Sequence, residues 1–437
     1  MKEVTLTEIL DAREMRAFNQ KKLIDEYKLP LICFTMNIAG PVKVTSLTER
    51  AFFEGIAILE EKLGTATFKK LQTNHTGYEA FFVYNEDATF LKSICVQIEE
   101  SCALGRLFDM DVLTAEGRKL DRKVERGCLI CGKSGRECSS SRAHSVEELV
   151  CTTNEIIANH FLEKDADKIE KLALESLVFE VNTTPKPGLV DQNNNGSHKD
   201  MNIDLFLKSA ESISYYFKDC FKTGYLYKAM KDEDVFNKLR ALGIEAEKKM
   251  YNATNNINTH KGIIYSLGII CGAVGKQYDG TLTYTASLFP ACAELVKDSV
   301  KKDFESITCE TAGERFYNEH KIKGIRGEAE SGFSSVSGIS LPAFEEAVEQ
   351  GMSLNDSGVF ALLKLIEKVE DTNLLNRGGI DGLLYAQKCA EEILSDSSHM
   401  IENTLILDES FISKNLSPGG CADLLALTYF IYKLKRG

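Results

Sequence analysis

Two carboxylates in the first third of the chain have a spacing suited to metal-assisted chemistry. In GRLFDMDVL (105–113) the residues alternate between two faces of a strand, so Asp109 and Asp111 are expected to share a face with Leu107 and Leu113. Carboxylates at this spacing lie about 7 Å apart. That separation can hold one or two Mg²⁺ ions at a phosphoryl-transfer centre. The alternative is a solvent-facing strand edge with incidental acids.

Three cysteines and a histidine follow at short intervals. Cys128, Cys131, Cys138 and His144 form the pattern C-x₂-C-x₆-C-x₅-H. This set of donors can close a tetrahedral Zn²⁺ site, and the two-residue gap is typical of zinc ligands. The second half of the pattern is not a standard pair of ligands. Reduced structural thiols are therefore the alternative interpretation.

The segment EVNTTPKPGLVDQNNNGSHKDM (180–201) is the most unusual stretch of the second part. Two prolines flank Lys186 and fix the backbone, which favours a rigid loop. Cations and carboxylates on a rigid loop suit a Mg²⁺-nucleotide, and the loop is expected to expose Lys186, Asp191, His198, Lys199 and Asp200. An ordinary connection between helices is the alternative.

Four further segments mix glycine with charge between predicted helices. One helix is expected to begin after Asn258 or Thr259 as cap, with two basic residues in its first turn, where a bound anion would offset their repulsion from the helix dipole. Another helix is expected to follow a Gly-Gly pair with an acid in its first turn, which the dipole alone would also explain. These segments together predict a polar cleft built from inter-helix loops. The candidate residues are His260, Lys261, Arg326, Glu328, Asp371, Asn373, Arg377 and Asp423.

The elements that must position the first set of residues alternate in type. Apolar runs at 29–38, 79–85 and 105–113 indicate strands, and the spacing of apolar residues at 46–63 and 87–101 indicates helices, the latter capped by Asp87. This succession predicts an α+β domain over residues 1–165.

Beyond this domain the strand signals become rare and helical periodicity dominates. The pattern predicts an all-α domain over 166–437, with the boundary near 160–170 inside a connecting helix. The predicted helices are 165–181, 203–218, 233–252, 260–275, 283–302, 343–350, 355–370, 379–395 and 420–435.

Composition bounds the function. The chain has 437 residues, 43% of them hydrophobic, and a net charge of −13, which argues against broad binding to nucleic acid or anionic membranes. No apolar signal segment opens the chain, and thirteen cysteines are too sparse for a disulfide scaffold, so a cytoplasmic protein with reduced thiols is expected. Residues 118–142 carry eight basic against three acidic residues. This basic stretch suits an anionic ligand or an acidic protein partner, unless it is simply a solvated loop.

Several motifs of the first part together resemble the apo-citrate lyase phosphoribosyl-dephospho-CoA transferase family. They are DAREMRAFNQ, LICFTMNIAGPVK, GRLFDMDV and ERGCLICGK…ECSSSRAHS, and the resemblance spans about residues 5–155. Ile38-Ala39-Gly40-Pro41 stands where the family usually has Ile-Pro-Gly-Pro, and Cys138-Ser139-Ser140 where it often has Cys-Ala-Arg. Arg142 and His144 remain in place.

The second part, over about 170–435, resembles triphosphoribosyl-dephospho-CoA synthase. The resemblance rests on TTPKPGLVD, NTHKG, RGEA, DTN…RGG and SPGG-ADLLA. It implies an all-α fold, Mg²⁺-ATP and 3′-dephospho-CoA as substrates, and release of adenine. The first resemblance implies transfer of the product to a serine of the citrate lyase acyl carrier protein, its γ subunit, with release of pyrophosphate.

A chain with both resemblances is expected to be a bifunctional transferase whose second half makes the substrate of the first. For ribosyl transfer we expect Asp191, Asp371 and Glu328 to be catalytic, with Asp191, Asp200 and Asp423 on Mg²⁺. The phosphates are expected to meet Lys186, Lys199, His260, Lys261, Arg326 and Arg377. In the first domain, Asp109 and Asp111 are expected to hold metal, and the phosphates to meet Arg13, Arg16, Lys43 and Arg106. The basic stretch is expected to dock the carrier protein.

Two rival functions remain open at this stage. One is the equivalent enzyme pair for malonate decarboxylase, which uses the same prosthetic group. The other is a non-catalytic assembly factor that holds the carrier protein and binds nucleotide without turnover.

Overall fold

The structure, a computed structural model, describes residues 2–122, 126–305 and 322–436. The chain divides into two compact units. The first comprises Met1–Glu163 and Asp279–Thr281, and the second comprises Lys164–Tyr278 and Leu282–Gly437. The predicted succession of an α+β part and an all-α part is confirmed. Within the described residues, none of the helices combines the length and the apolar character that a membrane span requires.

The N-terminal unit is built on a four-stranded antiparallel sheet in the order β2-β3-β1-β4. Helices cover both of its faces, and a 3₁₀ turn, Leu104–Leu107, leads into the last strand. The elements are α1 Leu6–Tyr27, β1 Leu31–Met36, α2 Ser46–Leu63, β2 Phe68–Asn74, β3 Gly77–Val83, α3 Ala88–Ser101, β4 Phe108–Leu113, α4 Gly135–Ser141 and α5 Val146–Asn182, which crosses the division between the units.

The two faces of the sheet differ in character. One face holds the main core, in which Phe34 and Phe108 pack against α2 and α3. On the other face, Asp111 pairs across the strands with Cys33 and Asp109 pairs with Thr35. The predicted sharing of a face by Asp109 and Asp111 therefore holds, because β4 alternates between buried and more exposed residues. The prediction was wrong for Leu107, which lies in the 3₁₀ turn and packs in the main core.

Three elements of this unit lie outside the sequence predictions. Helix α1 exposes most of its length and buries only Leu23 and Ile24, so it lacks a strong apolar stripe. Its capping box, in which Thr5 and Glu8 exchange hydrogen bonds, was the available signal. Strand β2 is an edge strand of mostly polar residues, and α4 is a single short helix.

The described part of the C-terminal unit consists of helices and connecting loops. Its elements after α5 are α6 Ile203–Leu226, α7 Asp232–Ala253, α8 Lys261–Gln277, α9 Leu288–Glu305, α10 Gly324–Glu330, α11 Leu341–Glu349, α12 Leu354–Lys368, α13 Thr372–Ser395, α14 Met400–Ser413 and α15 Gly419–Arg436.

Helix α8 lies in the core of this unit and sets the position of one wall of the site. Residues Ile263–Gly275 of α8 are buried almost without interruption. At Gly224 of α6, a Cβ would lie only 2.0 Å from the carbonyl oxygen of Gly272, so a side chain there would push the helices apart. The Tyr216 hydroxyl of α6 donates to the carbonyl of Ile264 at 3.0 Å. The Tyr216 contact fixes the first turn of α8 relative to α6, and the Gly224 contact fixes the part of α8 around Gly272.

Several boundaries in this unit differ from the predictions. The Gly-flanked loop expected around Arg326 and Glu328 is helix α10. Helix α13 begins at Thr372 rather than 379. It is kinked at Gly379, which has a positive φ, and the glycine there interrupts the helical pattern in the sequence. Helix α15 begins at Gly419, so Asp423 lies beyond the first turn. Helix α14 was not predicted, and α8 begins at Lys261 with His260 as its N-cap.

Candidate active sites

The C-terminal unit contains a polar cavity of about 890 Å³. The first turns of three long helices, α8, α13 and α15, contribute to its lining. Helix N-termini carry partial positive charge and unsatisfied N–H groups, so their convergence favours an anion. The loop that follows α5 contributes to the lining with Lys186 and His198, and α10 contributes Glu328.

A buried lysine–glutamate pair lies in the lining of this cavity. Lys186 is 1% exposed, and its Nζ donates to the carboxylate of Glu180 and, at 2.7 Å, to the Glu180 backbone carbonyl. Two prolines flank Lys186 and restrain its backbone, as the sequence predicts. The predicted exposure of Lys186 and Asp191 was wrong, because internal hydrogen bonds hold both side chains in the interior. Glu180 was missed by the sequence analysis. The signal was an acid in the last turn of a helix, where the dipole disfavours it.

Asp423 lies on the same cavity, in a group of acids. Burial, together with the carboxylates of Glu180 and Asp371, raises the pKa of Asp423 well above its usual range. Gly262 in the first turn of α8 faces it so closely that a Cβ would come within 1.9 Å of an Asp423 carboxylate oxygen. The absence of a side chain at Gly262 is therefore required for α8 and Asp423 to meet.

His260 is the N-cap of α8 and is 3% exposed. Its Nδ1 lies 2.7 Å from the Ser209 hydroxyl, and its Nε2 is buried with no hydrogen-bond partner among the described residues. Burial lowers the pKa of His260 to about 3, so the ring is neutral near pH 7. Because His260 contributes to the cavity lining, its unpartnered nitrogen is available to a bound ligand.

Asp371 joins two of the helix N-termini. Its Oδ1 accepts hydrogen bonds from the backbone N–H of Asn373 at 2.7 Å and Leu374 at 3.1 Å in α13, and its Oδ2 accepts from Cys421 N–H in α15 at 2.8 Å. It lies on the cavity but is 1% exposed. These bonds make Asp371 a shared cap for α13 and α15.

Asp191 likewise organises the backbone. It accepts from the N–H groups of Lys186 at 2.9 Å, Asn193 at 2.7 Å and Asn194 at 3.1 Å. Asp408, which the sequence analysis missed, accepts from Gly188 N–H at 2.8 Å. Both carboxylates hold the Pro-rich loop in place, and Asp191 does not line the cavity among the described residues.

Glu328 is a cavity carboxylate with a side-chain donor. It accepts a hydrogen bond from the Ser335 hydroxyl at 2.6 Å and lies half-buried on α10. Glu328 also accepts from the Ser335 backbone N–H at 3.3 Å, in the first turn of the helical segment that begins at 334, so it holds fewer backbone groups than Asp371 does. It is therefore placed to exchange a proton with a bound molecule.

The remaining predicted cations take different places. Arg377 lines the cavity and donates to the carbonyl of Ser197 at 3.0 Å and towards His198 Nδ1 at 3.2 Å. Lys261 also lines it, paired with Glu247 at 3.0 Å. Lys199 and Asp200 are exposed and lie outside the described lining.

A second, mostly apolar cavity of about 580 Å³ shares a wall with the first. The shared residues include Lys261, Gly262 and Asn373. Phe236, Ile264 and Tyr265 form part of its lining, and Arg326 lies here rather than in the polar cavity. The two cavities together offer a charged compartment beside an apolar one.

In the N-terminal unit, three of the four predicted phosphate-binding residues converge, and Arg106 lies apart from them. A cavity of about 430 Å³ is lined by Asp109, Arg13, Arg16 and Lys43, together with Arg126. Arg16 is held by an ion pair with the buried Glu79 at 2.7 Å. Burial lowers the pKa of Lys43, whose Nζ donates to the carbonyl of Ile38. Among the described residues, no hydrogen bond reaches the Asp109 carboxylate.

Asp109 also borders a wider cavity of about 1300 Å³. Here Asp111 forms an ion pair with Lys119 at 2.6 Å, a contact that competes with a metal at that carboxylate. Arg106 lines the cavity and donates to the carbonyl of Gly127 at 2.7 Å. Arg126, which the sequence analysis did not single out, links this cavity with the smaller one and pairs with the buried Glu99 at 2.7 Å.

The predicted Cys/His cluster is assembled on the edge of this wider cavity. One ligand atom from each of Cys128, Cys131, Cys138 and His144 lies within 4.8 Å of all the others. Among the described residues, no other set of three or more Cys, His, Asp or Glu side chains comes together in this way. Within the part of the chain that the structure describes, the carboxylates of the two candidate sites therefore form no ready-made metal cage.

Comparison with known families gives two adjacent matches. Residues 4–160 match the model of CitX, apo-citrate lyase phosphoribosyl-dephospho-CoA transferase. Residues 166–437 match the model of CitG, ATP:dephospho-CoA triphosphoribosyl transferase.

Relatives that match nearly the whole chain, and others that match only part of it, are also found. Protein CitXG of Haemophilus influenzae is 34% identical over 99% of this chain and 97% of its own length. Protein CitXG of Leuconostoc mesenteroides subsp. cremoris is 32% identical over the same shares. The 2-(5''-triphosphoribosyl)-3'-dephosphocoenzyme-A synthase of Pectobacterium atrosepticum is 39% identical over 60% of this chain and 88% of its own length.

Proposed function

Because this chain belongs to the CitXG family, with a CitG part and a CitX part, we propose that two of its cavities are active sites. One is the polar cavity of the C-terminal unit, and the other is the cavity of about 430 Å³ beside Asp109 in the N-terminal unit. The chain is a bifunctional transferase. It makes 2'-(5''-triphosphoribosyl)-3'-dephospho-CoA from ATP and 3'-dephospho-CoA and transfers the prosthetic group to apo-citrate lyase. The N-terminal match is to the citrate lyase transferase, which favours citrate lyase over malonate decarboxylase.

The convergence of three helix N-termini on one cavity carries the assignment of the first site. The triphosphate of ATP is the most strongly anionic group among the substrates, and helix N-termini stabilise such a group through the helix dipole and through those N–H groups that Asp371 does not cap. Lys186, Lys261 and Arg377 add positive charge to the lining. The unpartnered His260 Nε2 gives one further polar contact.

Mg²⁺ fits this site as a companion of the triphosphate. Asp371 is occupied by three backbone N–H groups and Glu180 by Lys186. Asp423 is left facing other acids, and a cation would offset that repulsion. Mg²⁺ usually takes one or two carboxylates plus substrate phosphates and retains water, so the lack of a ready-made cage suits it. Asp423 would hold the ion, which would neutralise phosphate charge.

Glu328 is proposed as the general base. The 2'-hydroxyl of 3'-dephospho-CoA attacks C1' of the ATP ribose, the new C–O bond forms as the C1'–N9 bond breaks, and adenine leaves with the bond electrons. Glu328 takes the hydroxyl proton, water protonates the departing adenine, and the hydroxide left behind removes the proton from Glu328 to restore its carboxylate. The developing positive charge on the ribose resembles that of glycoside cleavage, and the acids around the cavity would stabilise it.

The shared wall of the two cavities suggests how two substrates fit. The charged compartment suits the triphosphate, and the apolar compartment around Phe236 and Ile264 suits the non-polar parts of 3'-dephospho-CoA. Arg326 would then serve the phosphate of that substrate rather than the ATP phosphates.

At the second site, Asp109 and the surrounding cations are proposed to bind the triphosphoribosyl arm. A serine hydroxyl of the carrier protein attacks the α-phosphorus, and pyrophosphate leaves. Arg13, Arg16, Lys43 and Arg126 would stabilise the charge on the phosphates, and Asp109 would hold Mg²⁺. Asp111 is paired with Lys119, so it would hold that lysine in position rather than act as a second metal ligand beside Asp109.

Adenine release tests the first activity. The purified chain, given ATP and 3'-dephospho-CoA with Mg²⁺, should release adenine and form a product of the combined mass. Glu328→Gln should lower the rate about 10²–10⁴-fold, the usual contribution of a general base. Glu330→Gln is the matched control, because Glu330 lies on the same helix outside the described lining. Nucleotide binding without adenine release would support the assembly-factor alternative, and equal rates in both variants would exclude Glu328 as base.

A further inference from the structure

We propose that Cys128, Cys131, Cys138 and His144 bind one structural Zn²⁺ ion. Their ligand atoms all lie within 4.8 Å of one another, and the Cys131 and Cys138 sulfurs are 3.4 Å apart. With Zn–S bonds of about 2.3 Å, tetrahedral geometry places two sulfurs about 3.8 Å apart. The cluster therefore needs only small shifts to close around the ion.

The backbone already presents the first two cysteines as a metal-binding turn. Cys128 N–H donates to the Lys133 carbonyl at 2.6 Å, and Gly132 N–H donates to the Cys128 carbonyl at 3.1 Å. Gly132 has a φ of +72°, which a side chain would disfavour. Ile130 N–H points to the Cys128 sulfur at 3.4 Å, a donor that stabilises a thiolate.

The other two ligands reach the same point from different segments. Cys138 lies in helix α4, and His144 follows that helix. His144 Nε2 is buried and has no hydrogen-bond partner among the described residues. A buried polar atom normally finds a partner, and a metal ion would supply one here.

Four protein ligands define a closed site, which is the pattern of structural rather than catalytic zinc. The ion would fasten the segment that carries the cations of the wider cavity. Arg126 immediately precedes the turn: its backbone carbonyl accepts from Gly135 N–H at 3.2 Å, and its side chain reaches the Phe108 carbonyl at 2.7 Å. Arg106 donates to Gly127 at 2.7 Å. Zinc would thus hold both arginines beside Asp109, an effect that rests on the proposed function, whereas metal binding itself does not.

Metal analysis of the full chain tests the site. Protein purified without a metal-binding tag should carry about one zinc ion per chain, as expected for a four-ligand site. Cys131→Ser and His144→Ala should lose the zinc, and Cys151→Ser, at an exposed cysteine outside the cluster, should keep it. Zinc-free protein obtained from cells grown with zinc would overturn the proposal, as would full zinc content in Cys131→Ser.

A ligand exchange separates zinc binding from a general need for these side chains. His144→Cys offers four thiolates and should retain zinc, whereas His144→Ala should not. Cobalt substitution should give a thiolate-to-metal absorption band in the wild type and in His144→Cys. A Cys131–Cys138 disulfide in the freshly purified chain, found by mass analysis without reductant, would instead identify a redox pair and contradict the proposal.

Discussion

The two candidate sites differ in how they bury their charges. In the C-terminal unit, Lys186 is 1% exposed and Asp371 is 1% exposed, and both are fully engaged by neighbouring groups. In the N-terminal unit, Asp109 and Arg13 are exposed at the end of an open sheet face. Charged groups fixed by burial suit small-molecule substrates, whereas exposed charged groups can be reached by a macromolecule that completes the site on binding. Under the proposed function, this contrast would match the difference between ATP and a carrier protein as substrates.

The C-terminal site, whose charged groups are buried, should be intolerant of added side-chain volume. Gly262→Ala would place a methyl group within 1.9 Å of an Asp423 carboxylate oxygen, so α8 or Asp423 must move. A displacement of about 1 Å at a catalytic site can lower the rate about 10²-fold, and we expect adenine release to fall by that order. Gly338→Ala is the control, because a Cβ there meets nothing within 4 Å. Equal losses in both variants would show that the close approach at Gly262 does not matter.

The buried ion pair should contribute strongly to folding when one partner is removed. Lys186→Met leaves Glu180 buried without its counter-charge, which should lower the free energy of unfolding of the C-terminal unit by about 3–5 kcal/mol. The double variant Lys186→Met/Glu180→Gln should recover part of this loss, because it buries no unpaired charge. Urea unfolding followed by circular dichroism measures both. A small loss of unfolding free energy in Lys186→Met would mean that water reaches Glu180 and that the ion pair is not buried.

The same burial predicts a pH dependence through His260. Its pKa is about 3 in the folded protein, against an ordinary value of 6.5, so between these values the unfolded chain binds a proton that the folded chain does not. Stability should therefore fall as pH drops below about 6.5, by about 1.4 kcal/mol per pH unit from this group. In His260→Asn the slope should be smaller by that amount. If the free energy of unfolding changed by the same amount between pH 7 and pH 5 in both proteins, the buried, neutral imidazole would be contradicted.

The sequence predicted the fold well where periodicity was strong and poorly where tertiary contacts decide. Helix α2 was predicted with its observed bounds because its apolar residues recur at helical spacing. Helix α1 lacks that stripe, and the break at Gly379 hid the first turns of α13.

The site residues show a similar division. The Pro-rich loop and the Cys/His pattern attract attention in the sequence because proline and cysteine have few ordinary uses at such spacing. Glu180 carried only the signal of an acid in the last turn of a helix, and Asp408 is one of several acids in its helix. Their roles depend on Lys186 and on the backbone N–H of Gly188, which only the fold brings to them.

A separation of function tests the two-site account most directly. Asp109→Asn keeps the size of the side chain but removes its charge, and both reactions are measured in the same preparation: adenine release, and mass gain of the apo carrier protein supplied with preformed triphosphoribosyl-dephospho-CoA. We expect loading to fall by about 10²-fold or more, as for loss of a metal-holding or charge-stabilising group, and adenine release to stay at the wild-type rate. Glu328→Gln should give the reverse. Loss of both activities in Asp109→Asn with the fold intact would mean one shared site and would contradict the account.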